Sequence, residues 1–167
     1  MNYNSSDRSQ KDRFVLLILW GSMFMTLFIY IFICYIIKSE EMFVPMYTME
    51  VLQDTLFMGL SIYSSIYITS AILFAVGYIY FDKSYNKLVE DTKDQSFESE
   101  EEKSKSFKTR YTTIMFISMA IFESIVIIGM VVFLQTLDFD TFLILSALSA
   151  SGFLLVIPTR SKFDYRG

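Results

Sequence analysis

The sequence predicts an all-α fold, an antiparallel four-helix bundle within a membrane, with the N-terminus and the C-terminus both cytoplasmic. Four apolar runs, at about residues 14–37, 55–81, 111–135 and 140–157, dominate a 167-residue chain that is 53% hydrophobic. Roughly 20 apolar residues suffice to cross the ~30 Å hydrocarbon core of a bilayer. Thirteen of the fourteen lysines and arginines fall on one side if both termini and residues 82–110 are cytoplasmic. This is the orientation that the positive-inside rule favours.

The first run begins directly after Arg8, Lys11 and Arg13. A basic segment followed by apolar residues resembles the start of a signal peptide, but this run is too long for the hydrophobic region of one. We therefore expect a retained signal anchor. Because this run is rich in bulky Phe, Ile and Leu, we also expect it to be the helix most exposed to lipid.

The segment 82–110, between the second and third runs, is the largest polar part of the chain. Its first half, to about Lys93, could continue the second helix beyond the membrane. Its centre, Asp94–Lys108, is rich in serine and charge. Such a composition buries too little apolar area to order itself, which predicts a solvated linker or a docking site for a cytoplasmic partner.

Only a few residues, Leu137–Asp140, separate the third and fourth runs, so these helices must be antiparallel neighbours. Small residues allow helices in lipid to approach closely. The pattern therefore predicts helix packing at five positions, which are Ala120, Ser124, Gly129, Ala147 and Ser151, and more generally along the small residues of the second run and of the fourth run as far as Gly152.

Two absences limit the chemistry. The sequence contains no histidine and one cysteine, Cys34. The usual imidazole ligands of haem and zinc and a cysteine-pair site are therefore excluded, and no nucleophile–base pair can be assigned. We expect no metal, no cofactor and no enzymatic activity. The expected partners are the lipid bilayer and other membrane subunits or a second copy, not nucleic acid.

Glu123 is the one charged residue deep within an apolar run, thirteen residues after Arg110 and fifteen before Asp138. A carboxyl group at that depth costs about 2.5–3.5 kcal/mol on insertion scales and usually faces the interior of a bundle. It needs hydrogen-bond partners. By depth, the expected ones are hydroxyl groups on the second and fourth runs, namely Ser64, Ser65, Tyr67, Thr69, Ser146 and Ser149.

The segment Glu123–Gly129 resembles the ion-binding helix of rotary ATPase proteolipids, in which a mid-membrane glutamate precedes an aliphatic run and a glycine. The resemblance implies that Glu123 binds a proton or a sodium ion. It covers one helix of the four. The chain departs from the family in lacking its glycine-rich helix and in having the long charged segment 82–110.

Two functional hypotheses follow. In the first, the chain is an interaction or scaffold protein, an accessory subunit of a complex in the inner (cytoplasmic) membrane. In the second, Glu123 exchanges protons or cations during translocation. A purely structural role for Glu123, as a hydrogen-bonding link between helices, remains open beside both.

Overall fold

The computed structural model describes residues 3–40, 44–57, 59–94 and 99–163. The chain is helical, with four helices longer than seven residues among the described residues. They are α1 (Tyr3–Ser39), α2 (Ile62–Asp94), α3 (Glu100–Thr136) and α4 (Phe139–Leu155). The predicted all-α class is confirmed. The remaining elements are a 3-10 turn (Met49–Gln53), two very short strands, β1 (Thr55–Phe57) and β2 (Leu60–Ser61), and a final turn of helix, α5 (Arg160–Phe163).

Within the described ranges, three helices are long and apolar enough to cross a membrane. They lie at Gln10–Ser39, Ile62–Asp94 and Glu101–Thr136. The fourth apolar helix, α4, has 17 residues. At ~1.5 Å per residue it is about 25 Å long, somewhat shorter than a typical hydrocarbon core.

Helix α2 begins seven residues after the predicted start of the second run. Residues 55–57 and 60–61 instead form the antiparallel β1–β2 pair, and Gly59 before the second strand has a φ of 79°. This left-handed backbone favours glycine and cannot continue a helix. The hydroxyl oxygen of Ser61 then accepts a hydrogen bond from the backbone N–H of Ser64 at 3.1 Å and caps the start of α2.

The charged segment is more ordered than its composition predicts. Residues 82–94 complete α2, and residues 100–110 begin α3, while 95–98 lie outside the described residues. The hydroxyl oxygen of Ser99 accepts a hydrogen bond from the backbone N–H of Glu102 at 3.2 Å, which caps α3. Leu88 and Phe107 are buried. The expectation of a disordered linker is therefore corrected for residues 100–108, because composition did not reveal this cap or these buried contacts.

Helix α3 lies at the centre of the bundle and packs most extensively on α2 and α4, whereas α1 packs on α4 and less extensively on α3. Tyr85 contacts Tyr111 and Phe74 contacts Phe122, so α2 and α3 run in opposite directions. Helix α1 packs mainly on α4, where the indole N–H of Trp20 donates to the Phe153 carbonyl at 3.0 Å.

Of the four main helices, α1 has the fewest buried side chains among the described residues. They are Leu16, Leu27 and Cys34. Ten of its large apolar side chains are exposed instead, including Phe14 at 64% and Phe32 at 62%. Helix α1 is thus the least buried of the four main helices, and its exposure to lipid stays a prediction.

Charged side chains meet at one end of the bundle. Lys108 forms an ion pair with Asp12 of α1 at 3.0 Å, and Arg110 forms one with Asp91 of α2 at 2.6 Å. These pairs place the start of α1, the end of α2 and the start of α3 at the same end of the bundle.

The chain after α4 returns to this same end. Lys162 lies 5.1 Å from the centre of the Phe81 ring and donates to the Leu155 carbonyl at 2.9 Å. Burial lowers the pKa of Lys162. Its neighbour Phe163 packs edge-on against Tyr111. Segment 156–163 therefore covers the end of α4.

Polar contacts mark the opposite end. The ammonium group of Lys38 lies 5.3 Å from the centre of the Phe139 ring, and the Tyr63 hydroxyl donates to the Asp138 carboxylate at 2.5 Å. Between the two ends, Glu123 is the only Asp, Glu, Lys or Arg in the described helices.

Candidate functional site

Glu123 lies on the side of α3 that faces α1. Its carboxylate accepts a hydrogen bond from the Tyr30 hydroxyl at 3.3 Å, the hydrogen bond that the structure describes for this carboxylate. The bond is long, and the Glu123 side chain remains partly exposed. The bundle therefore leaves one acidic group near the middle of its apolar length only partly covered.

The predicted partners of Glu123 bond elsewhere. On α2, the hydroxyl of Ser65 donates to the Ser61 carbonyl, and that of Tyr67 bonds to Thr141 at 3.1 Å. Thr69 is exposed.

The predicted partners on α4 are buried but also bond elsewhere. Ser146 donates to the Phe142 carbonyl at 2.8 Å, and Ser149 donates to the Phe122 carbonyl at 2.8 Å. The expectation of a Glu123 cluster with α2 and α4 is therefore corrected. Depth was estimated from residue number, but successive residues turn by about 100° around a helix. The carboxyl group points toward α1 instead.

The five predicted packing residues divide into two groups. Gly129 is buried, and a Cβ at that position would lie 3.1 Å from the Leu145 Cβ. The other four lie on outward surfaces: Ser124 is partly exposed, and the three exposed ones are Ala120, Ala147 and Ser151. Within the monomer, the close helix contact that small residues predict is therefore found at Gly129.

At the described glycines, the closest approach is to Phe122, which is 0% exposed and lies between Gly77, which was not named among the predicted packing residues, and Gly152, which belongs to the small residues of the fourth run. A Cβ on Gly77 of α2 would lie 2.7 Å from the Phe122 ring. A Cβ on Gly152 of α4 would overlap the same ring even more severely. The sequence signal for this contact is a glycine in the second run and a glycine in the fourth run, each at about the depth of Phe122 in the third run.

A second polar group lies at the end of the bundle, outside the apolar length. The Asp138 carboxylate accepts hydrogen bonds from the Tyr63 hydroxyl and from the backbone N–H of Thr141, at 2.5 and 3.2 Å. Burial by itself would raise the pKa of Asp138, but these hydrogen bonds outweigh it, and the pKa is lowered. Asp138 caps α4, and Leu137 before it ends α3 with a φ of 56°. The group is a structural joint between two helices.

The structure offers no arrangement for metal chemistry in the part of the chain that it describes. There, no three His, Cys, Asp or Glu side chains lie close enough to hold a metal ion together. Cys34 is buried at 1% exposure as a free thiol. At Glu123, the described contact is the hydrogen bond that the Tyr30 hydroxyl donates to the carboxyl group.

The chain matches no protein-family model, and neither a curated protein nor a solved structure was found to be similar to it. The resemblance of Glu123–Gly129 to a rotary ATPase proteolipid remains a prediction from one helix. What the chain does must therefore be argued from its own geometry.

Proposed function

We propose that this protein is an accessory or scaffold subunit of a membrane complex, held as a four-span antiparallel bundle with both termini in the cytoplasm. The observation that carries the proposal is the incomplete cover of Glu123. A partly exposed carboxyl group in hydrocarbon is unfavourable for an isolated monomer and becomes favourable when a partner supplies hydrogen bonds or charge.

The two polar ends of the bundle support the membrane placement. Ion pairs and a lysine–aromatic contact gather at one end, and Tyr63, Asp138 and Lys38 gather at the other. The end with more basic residues is the one that the positive-inside rule assigns to the cytoplasm. Exposed apolar side chains cover α1 and α2 between the ends, as lipid contact requires.

Site-specific photo-cross-linking in native membranes tests the proposal. A photoreactive amino acid replaces exposed Ala120, beside Glu123 on α3, and in a matched control it replaces exposed Ile72 on α2. We expect a discrete protein adduct at position 120 and only diffuse or no adduct at position 72. Equal, diffuse labelling at both positions would contradict a subunit role on the α3 side.

A second candidate function is proton or cation translocation, in line with the proteolipid resemblance. The contact that favours it is the hydrogen bond from Tyr30 to Glu123, since a phenol and a carboxyl group can pass a proton between them. In vesicles containing the purified protein, translocation predicts proton flux that Glu123→Gln abolishes. Absence of flux from the unmodified protein would remove this candidate.

A further inference from the structure

The surface beside Glu123 can be described more fully, and the inference drawn from it rests on the proposed function. Six residues of α3 share an outward stripe with the spacing of one helix face: Ile117, Ala120, Ser124, Ile127, Val131 and Leu134. Glu123 borders this stripe on the side of α1. We call these six residues and Glu123 the α3 face.

The α3 face differs from the other outward surfaces in its chemistry. The described apolar surface of α1 is made of large side chains such as Phe28 and Phe32, and that of α2 contains Ile68, Ile72 and Val76. No Asp, Glu, Lys or Arg interrupts either of them between the polar ends. These surfaces suit lipid, whereas the α3 face carries a carboxyl group.

Small residues at the centre of the α3 face allow close approach. Ala120 is exposed, and the Ser124 hydroxyl is turned back to the Ala120 carbonyl at 2.9 Å. A helix laid on this face can therefore bring its backbone close to α3 at the level of Glu123. The Tyr30 hydroxyl leaves the carboxylate free to accept further hydrogen bonds, since a carboxylate has about four acceptor positions.

The chain itself cannot neutralise this carboxylate from a second copy. Its lysines and arginines lie outside the apolar lengths of the four helices, at or beyond Arg13, Lys38, Lys83, Arg110 and Arg160. None of them is at the depth of Glu123. We propose that the α3 face binds a transmembrane helix of another protein, which places a lysine or arginine at mid-membrane depth against Glu123.

Membrane helices of defined sequence test this directly. The probes are leucine-rich transmembrane peptides that differ only at the central residue, which is Arg, Gln or Leu. The full-length protein carries a donor fluorophore at Lys93→Cys, an exposed position, while buried Cys34 is shielded from the label. Energy transfer to acceptor-labelled peptides in lipid vesicles then gives the mole fraction of peptide at half-saturation.

We expect the Arg peptide to half-saturate the protein at a mole fraction at least about tenfold lower than the Leu peptide, a difference of about 1.4 kcal/mol. Glu123→Leu should abolish this preference, and Glu123→Gln should weaken it. Asp138→Asn removes a carboxylate at the end of the bundle and should leave the preference for the Arg peptide unchanged. Retained helix content by circular dichroism establishes that each variant is folded.

Two results would overturn the inference. One is equal binding of the Arg and Leu peptides, or an Arg preference that survives in Glu123→Leu. The other is energy transfer between donor-labelled and acceptor-labelled copies of the protein that persists when the Arg peptide is added. This result would assign the α3 face to a second copy. A discrete cross-link at position 120 together with equal peptide binding would leave the subunit role standing and reject only the charged partner.

Discussion

Phe122 and Glu123 are adjacent in sequence but lie in opposite environments. Phe122 is fully buried between Gly77 of α2 and Gly152 of α4, so closely that neither glycine has room for a Cβ. Glu123 faces α1, remains partly exposed and, among the described residues, accepts one long hydrogen bond. The comparison shows that α3 has one side shaped by packing inside the monomer and another side that the monomer leaves incomplete.

Shortening Phe122 breaks the packed side and should have the largest effect. Phe122→Ala leaves a cavity at the contact of three helices, and we expect a loss of about 3–5 kcal/mol in unfolding free energy. Reversible unfolding in mixed detergent micelles measures it. A loss below about 1 kcal/mol would mean that the three helices do not depend on this contact.

Adding one methyl group tests the same contact from the opposite direction. Gly152→Ala forces a Cβ into the Phe122 ring, so we expect a loss of about 1–3 kcal/mol from overpacking. The matched control is Gly21→Ala in α1, where no other atom lies within 4 Å of the added Cβ and the change should be neutral or slightly stabilising. Equal effects at the two glycines would contradict the packing described for Phe122.

The cap at Asp138 should give a smaller effect that depends on pH. Because the pKa of Asp138 in the folded protein lies below its usual value of 3.8, the carboxylate contributes stability above that value. The contribution is lost as the pH falls through the lowered pKa. Asn can still cap α4, but it removes the charge to which the Tyr63 hydroxyl donates, so we expect Asp138→Asn to cost about 1 kcal/mol at neutral pH and to be less costly in acid.

Thermal unfolding of both proteins in detergent, from neutral pH to below 3.8, measures this difference. A penalty for Asp138→Asn that grows as the pH falls would show that the sign of the shift is wrong.

Much of the fold could be predicted from residue type and order. Long apolar runs fix the helices, and the short link at Leu137–Asp140 fixes the α3–α4 pair, since neither depends on distant contacts. The start of α2 and the order in residues 100–108 could not be predicted so well. They depend on Gly59 in a left-handed turn and on Ser99 as a cap, which override the average composition of their segments.

The depth of Glu123 in the bundle could be predicted from the sequence, but the helix that it faces could not. Residue number gives the height of Glu123 along α3 closely, because the rise per residue is constant. The neighbour that it meets depends on how α3 is rotated in the bundle, and the fit of Phe122 between Gly77 and Gly152 sets that rotation. Tyr30 could be identified as the partner only after the helices were packed.

The contrast between the two sides of α3 is tested most directly by the unfolding free energy of Glu123→Leu in detergent micelles without any partner. If Glu123 serves a partner and not the monomer, its removal changes the free energy by less than about 1 kcal/mol or raises it, because only one long hydrogen bond is lost. A loss of about 2 kcal/mol or more would contradict this account and make Glu123 a structural link between α1 and α3.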